Sequence, residues 1–280
     1  MEEHRNPRVW LITGSSSGLG RSLAEAVLAQ GDTAVVTARN VARVKDLERQ
    51  YPGKALALPL DVTHPEQIAA AVQAALASFF RIDVLVNNAG YGVLGALEEL
   101  SPAQMSRNLE TNLMGPISTM RAVLPVMRQQ RSGHIVNISA IAAFGNEMGF
   151  SIYGGAKAAL EAVSESVASE VRPLGIRVTI VAPGPFRTDF IGRSIENASG
   201  QIDDYRGTSG KFASFLQQLD GRQPGDPAKA AQAIIRIVEC AKPPFRFVLG
   251  AYAFDKMRKK LKSTGAEIDA WESVGLNTDY

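Results

Sequence analysis

The sequence predicts one α/β domain, a doubly wound parallel sheet of about seven strands with helices on both faces. Three observations predict it. Short apolar runs alternate with helical patterns almost from end to end, which is a βαβ series. The runs are rich in Val, Ile and Leu instead of alternating with polar residues, as strands covered on both faces should be. No linker or fixed-period repeat splits the 280 residues, a length that one large α/β sheet can absorb.

The elements follow in order. Strand 8–13 runs into Thr13-Gly14-Ser15-Ser16-Ser17-Gly18-Leu19-Gly20, and apolar spacing then predicts a helix over 18–30. Glycines let the backbone turn sharply and approach a pyrophosphate, while a helix N-terminus offers unpaired N–H groups and partial positive charge. The spacing Gly-x-x-x-Gly-x-Gly departs from the standard dinucleotide fingerprint, so the strand before it and the helix after it carry the reading. Strand 33–38 ends in Thr37-Ala38-Arg39-Asn40. An acid at this strand end grips the ribose in NAD enzymes; here Arg39 stands instead, and its guanidinium suits the 2′-phosphate of NADP. NADP(H) is therefore expected in preference to NAD(H).

A helix over 41–50, strand 55–60, a helix over 65–80 and strand 84–87 come next. A helix is expected over 102–131, in which Pro116 has no N–H and so deprives the Asn112 carbonyl of its helical partner. Strand 134–139 ends in Ser139, at the carboxyl edge. A helix over 151–173, strand 177–182, a helix over 227–241 and strand 245–249 complete the series. Segment 186–225 breaks the alternation; polar, with isolated Phe190, Phe212 and Phe215, it reads as an irregular lid where α/β ligands bind. Residues 251–280 form a C-terminal extension, where Phe254, Met257 and Leu261 line one face of a short basic surface helix.

Composition excludes several classes. Thirty basic against 28 acidic residues give a net charge of +2, far from the dense basic face of a nucleic-acid binder. A hydrophobic fraction of 45% contains no run long enough to span a membrane, and the polar start Met1-Glu2-Glu3-His4-Arg5-Asn6-Pro7 shows no signal peptide. One cysteine, Cys240, rules out an internal disulfide and a Cys-rich metal site; it is expected as a small buried side chain on a helix. These features fit a cytoplasmic protein without a metal.

The most informative pair is Tyr153 and Lys157. Residues four apart share a helix face, so the ammonium should lie beside the phenol and lower its pKa from the usual value of about 10. A tyrosine so tuned exchanges a proton with a carbonyl or alcohol oxygen. Ala140, Phe144, Met148, Phe150, Tyr91, Val93, Phe186 and Phe190 border the same region and are mostly apolar, which favours a hydrophobic ketone, aldehyde or secondary alcohol.

Together these residues resemble the classical short-chain dehydrogenases/reductases from about residue 8 to 250. The glycine motif, with Gly14, Ser16, Ser17, Gly18, Leu19 and Gly20, has that family's spacing. Asp61-Val62 matches its adenine-contacting pair, and Asn87-Asn88-Ala89-Gly90 its motif after the fourth strand. Asn112, Ser139, Tyr153 and Lys157 fall where the family carries its catalytic tetrad. Pro183-Gly184-Pro185-Phe186-Arg187-Thr188 resembles the segment whose threonine binds the nicotinamide carboxamide. Lid and tail most resemble the 17β-hydroxysteroid-dehydrogenase-like and retinol-dehydrogenase-like branch. The resemblance implies a single-domain Rossmann-type fold and an NADP(H)-dependent carbonyl reductase or alcohol dehydrogenase. In it Ser139 would steady the substrate oxygen, Lys157 would hold the nicotinamide ribose, and a proton wire would leave past Asn112. It also implies a homodimer or homotetramer built on the helices 102–131 and 151–173. A nucleotide-sensing regulatory relative, and a lyase or epimerase with bound cofactor, are the competing classes.

Overall fold

The structure, a computed structural model, describes residues 7–280. Segment 1–6, part of the polar start read above for a signal peptide, lies outside the described residues. The first half of the chain forms β1 (Val9–Ile12), α1 (Gly18–Ala29), β2 (Thr33–Ala38), α2 (Lys45–Gln50), β3 (Ala55–Pro59), α3 (Pro65–Phe79), β4 (Val84–Asn87), β5 (Gly92–Leu94), α4 (Pro102–Leu109) and α5 (Gly115–Gln130). Then come β6 (Gly133–Ile138), α6 (Ser151–Val171), β7 (Ile176–Pro183), α7 (Phe190–Arg193), β8 (Ile195–Asn197), α8 (Ser209–Leu219), α9 (Pro227–Glu239), β9 (Arg246–Leu249) and α10 (Ala251–Leu276).

Seven strands make one sheet in the order β3-β2-β1-β4-β6-β7-β9, with every pairing parallel. The order reverses between β1 and β4, and the crevice at the carboxyl ends beside that point is where such sheets bind ligands. Strand side chains alternate between two apolar layers. Trp10, Ile12, Ala34, Val36, Val84 and Val86 pack with α1 and α9 through Leu23, Val27, Ile234 and Ile235. Leu11, Val35, Leu85 and Ile135 face the other way, onto Val72, Met120, Val123 and Leu160 of α3, α5 and α6. Both layers are apolar and buried, which is why the strands read as continuous apolar runs.

Local chemistry sets the helix starts. Ser101 caps α4 by accepting from the Gln104 N–H, with Pro102 behind it, and Asp226 caps α9 from Ala228 and Lys229 with Pro227 behind it. The helix expected over 102–131 runs unbroken to Gln130, but its pitch changes once. Between α4 and α5 the chain widens into a π turn, Glu110–Met114, where the Gly115 N–H bonds Glu110 O. Pro116 has no N–H for the Asn112 carbonyl, and the wider turn accommodates that gap. The expected irregular segment 186–225 contains α7, β8 and α8, and β8 pairs with β5 outside the main sheet. Cys240 is exposed, not buried, because it caps α9 one residue past its last helical residue, Glu239, and beyond the apolar face that ends with Ile237 and Val238.

Candidate active site

A polar lock holds the loop after β1. Thr13 Oγ1 accepts from the N–H groups of Asn88 and Ala89, both at 3.0 Å, and Asn88 Nδ2 donates back to Thr13 O at 3.0 Å and Gly14 O at 2.9 Å. Gly14 sits at φ +70, and a Cβ on it would lie 2.9 Å from Ala89 Cα. On Gly20 a Cβ would meet Asn88 Nδ2 at 2.2 Å, so this loop admits no side chain there. The loop delivers Ser16, Ser17, Gly18 and Leu19 to a cleft at the start of α1, and Ser17 caps that helix without a side-chain hydrogen bond. No acid stands in the first turn, so its N–H groups retain their positive end for an anion. Thr188 lies against Gly18 from across the cleft.

Arg39, exposed, and Arg43 border the cleft after β2. Asp61, after β3, accepts from Thr63 N and Oγ1 at 3.0 and 2.8 Å. Burial opposes its ionisation, but these bonds and the Arg39 charge hold the carboxyl below its ordinary range. Val62, Asn88, Ala89, Gly90, Pro183 and Gly184 line the same cleft.

Tyr153 and Lys157 stand one turn apart on α6, exposed by only 6% and 4%. Lys157 Nζ donates to Ile138 O at 2.9 Å. Burial lowers the Lys157 ammonium to about 8 and raises the Tyr153 phenol well above 10. The expectation of a phenol lowered by its neighbour is therefore reversed: desolvation penalises both charged forms, and it dominates here. Near neutral pH the tyrosine is held as an acid and the lysine as a cation.

Asn112, from the π turn, donates through Nδ2 to Tyr91 O at 2.8 Å and Asn108 O at 3.1 Å, while its buried Oδ1 has no hydrogen-bond partner among the described residues. A Cβ on Gly90 would lie 2.6 Å from that oxygen and 3.4 Å from Lys157 Nζ, so the two polar atoms flank one glycine. Ser139 differs from expectation. Its hydroxyl donates to Glu161 Oε1 at 2.8 Å, and Glu161 Oε2 in turn pairs with Arg246 at 2.9 Å. A hydroxyl has one proton, and here the buried carboxylate takes it. Ala140, next in sequence, packs instead with Phe150 and Tyr153.

The cleft measures about 1080 Å³ and runs from the glycine loop past Tyr153 to α8. Phe150 meets Tyr153 and Phe212 edge-on at 5.2 Å, and Phe190 lies 5.8 Å from Tyr153. Of the walls read from sequence, Ala140, Phe150, Tyr91, Phe186 and Phe190 line the cleft. Val93 is buried in β5, Phe144 packs toward Ala253 and Met257, and Met148 is exposed, so these three do not.

The chain matches the short chain dehydrogenase family model over residues 8–198. It is 36% identical to oxidoreductase BOA17 of Botryotinia fuckeliana, over 96% of this chain and 98% of that protein. It is 37% identical to a 3-ketodihydrosphingosine reductase of Bacteroides thetaiotaomicron (87% and 88%) and 33% identical to retinol dehydrogenase 8 of Bos taurus (86% and 80%). A solved short-chain dehydrogenase from Streptomyces avermitilis superposes with a TM-score of 0.92 at 43% identity, covering 98% of this chain and 100% of that one. This chain belongs to the classical short-chain dehydrogenase family.

A short-chain dehydrogenase works with a nicotinamide nucleotide, and solved structures of this fold hold NADP in one case and NAD or NADH in others. The residues fit such a group: the side-chain-free cradle at Gly14 and Gly20, the N-terminus of α1 and the gap beside Gly90 lie along one cleft. Sequence reasoning about this dehydrogenase did not single out Glu161, Arg246, Leu216 or Glu147 as site residues. Glu161 carried one signal, its position four residues after Lys157 on the same helix face. Arg246 and Glu147 carried none, since only the tertiary fold brings Arg246 to Glu161, and Tyr252 and Lys256 to Glu147.

Proposed function

We propose that this short-chain dehydrogenase is an NADP(H)-dependent oxidoreductase that interconverts a hydrophobic ketone or aldehyde and its alcohol. The observation that carries the reading is Tyr153, buried and held protonated at the floor of an aromatic cleft continuous with the glycine cradle. Gly14, Ser16, Ser17, Gly18, Leu19 and Gly20 would hold the pyrophosphate, and Arg39 the 2′-phosphate. Asp61 and Val62 would take the adenine, Asn88, Ala89 and Gly90 the ribose side, and Pro183, Gly184 and Thr188 the nicotinamide amide. When bound, the reduced nucleotide supplies a hydride to the carbonyl carbon.

Tyr153 donates its phenolic proton to the carbonyl oxygen. The charge that develops on the phenol is met by the Lys157 ammonium, which is protonated below about pH 8. Asn112 Oδ1 offers the next acceptor on the far side of Gly90, a route by which a proton returns through water. Ser139, on the cleft wall, engages Glu161, with no proton left for the substrate. Phe150, Phe190, Phe212 and Leu216 exclude water and favour an apolar substrate body. The similarity to a 3-ketodihydrosphingosine reductase and a retinol dehydrogenase supports the same substrate polarity.

The test is NADPH oxidation by purified protein across aryl, aliphatic, steroid and retinoid carbonyls, with NADH and a Tyr153→Phe variant in parallel. Turnover with NADPH that falls by about 10²- to 10⁴-fold in the variant is the expected result. Full activity in Tyr153→Phe would overturn the mechanism. Tight cofactor binding without NADPH consumption would favour a lyase, an epimerase or a nucleotide sensor.

A further inference from the structure

Helix α10 runs for 26 residues, about 39 Å at the helical rise. It buries only Ala253 and Met257, both in its first two turns. Past Met257 no residue of the chain is buried, yet Leu261, Ile268 and Trp271 are exposed by 56%, 64% and 69%. Phe254, Met257, Leu261, Thr264, Ile268, Trp271 and Gly275 recur at alternating steps of three and four, the seam of a helix that packs against another helix. A seam of this kind on an exposed helix needs a partner.

The charges on α10 select the partner. The half before Ser263 carries Lys256, Arg258, Lys259, Lys260 and Lys262 against one acid, Asp255; the half after it carries Glu267, Asp269 and Glu272 and no base. We infer that α10 pairs antiparallel with α10 of a second copy of this chain, about a two-fold axis between Thr264 and Gly265. That axis sets Leu261 against Ile268, Lys262 against Glu267, Lys260 against Asp269 and Arg258 against Trp271, each contact occurring twice. The small residues Ser263, Thr264, Gly265 and Ala266 stand at the crossing, where the backbones approach most closely. A parallel pair would instead bring Lys260 to Lys260 and Asp269 to Asp269. An anionic membrane would attract the first half and repel the second.

The pairing would also reach the cleft, because Tyr252 and Lys256 in the first turns of α10 contact Glu147 on its wall. The inference does not depend on the catalytic reading.

Sedimentation equilibrium of the full chain tests it, using K260E/K262E, E267K/D269K and an equimolar mixture of the two, with melting curves confirming that each is folded. Each variant alone places like charges at four symmetric contacts, so its association should weaken about ten-fold or more and the assembly should lose one two-fold step. The mixture makes all four contacts complementary again and should restore the assembly as a mixed species. Variants that sediment like the wild type would overturn the inference. So would a wild type whose Lys260 and Lys262 bind phosphatidylserine vesicles while its mass in solution does not respond to these substitutions.

Discussion

Replacing Lys157 with methionine should abolish turnover and raise the melting temperature. The side chain is 4% exposed, and its Nζ donates to Ile138 O at 2.9 Å. Burial lowers its pKa from 10.5 to about 8, which at ~1.4 kcal/mol per pKa unit is a penalty of about 3 kcal/mol on the charged form. Methionine has a similar unbranched shape and removes that penalty, at the loss of one hydrogen bond of ~1 kcal/mol. The net gain at pH 7 is roughly 2 kcal/mol, or about 4 °C for a chain of this size. The folded-state pKa lies below the unfolded one, so between about pH 8 and 10.5 the unfolded chain binds more protons and the wild type gains stability as pH rises. The advantage of methionine should therefore be full below pH 8 and almost gone near pH ~9.5. Thermal unfolding of Lys157→Met and wild type, without nucleotide, at the two pH values checks both magnitude and sign. A variant that melts lower at pH 7, or a difference that ignores pH, would refute the desolvation argument.

Ser139→Ala should reduce kcat by less than about ten-fold, far below the 10²- to 10³-fold typical of losing a donor to a developing oxyanion; a loss in that larger range, measured in the same NADPH assay, would show that the hydroxyl leaves Glu161 during reaction. Arg39→Ala should weaken NADPH by about 1.5–3 kcal/mol, roughly 10- to 150-fold, and leave NADH nearly unchanged by fluorescence titration. Gly20→Ala should abolish nucleotide binding and lower the melting temperature, because its Cβ would lie 2.2 Å from Asn88 Nδ2 and 2.5 Å from Gly14 O. Normal nucleotide affinity in that variant would mean the lock between Asn88 and the loop is dispensable.

Much of the molecule is legible before any coordinates. The inner strands of the main sheet are doubly buried, so their composition alone marks them, and Pro65, Pro102 and Pro227 mark helix starts through their fixed φ. The glycine loop and the pair Tyr153–Lys157 are also readable, because each lies within one turn or one strand-to-helix junction, whereas the lock of Asn88 onto Thr13 and Gly14 spans about 75 residues and shows only in the fold. Less legible was the widened turn at Glu110–Met114: Pro116 signals a missing donor, but whether a helix kinks, ends or widens depends on what packs around it. The exposed position of Cys240 turned on where α9 stops, at Glu239, one residue before it.

What the sequence determined by itself is the α/β architecture, its order of elements and the line of residues along the carboxyl edge, all consequences of local periodicity and turn chemistry. Tertiary structure alone decided the electrostatics. Whether Tyr153 is an acid or a base at neutral pH rests on how deeply it is buried, and burial is a property of everything packed around α6. The proton of Ser139 goes to Glu161 because Arg246, 85 residues further along the chain, arrives on β9 to hold that carboxylate. Phe212 reaches the cleft only because α8 folds back over Phe150. Desolvation and long-range pairing are sums over neighbours distant in sequence, so no local pattern encodes them.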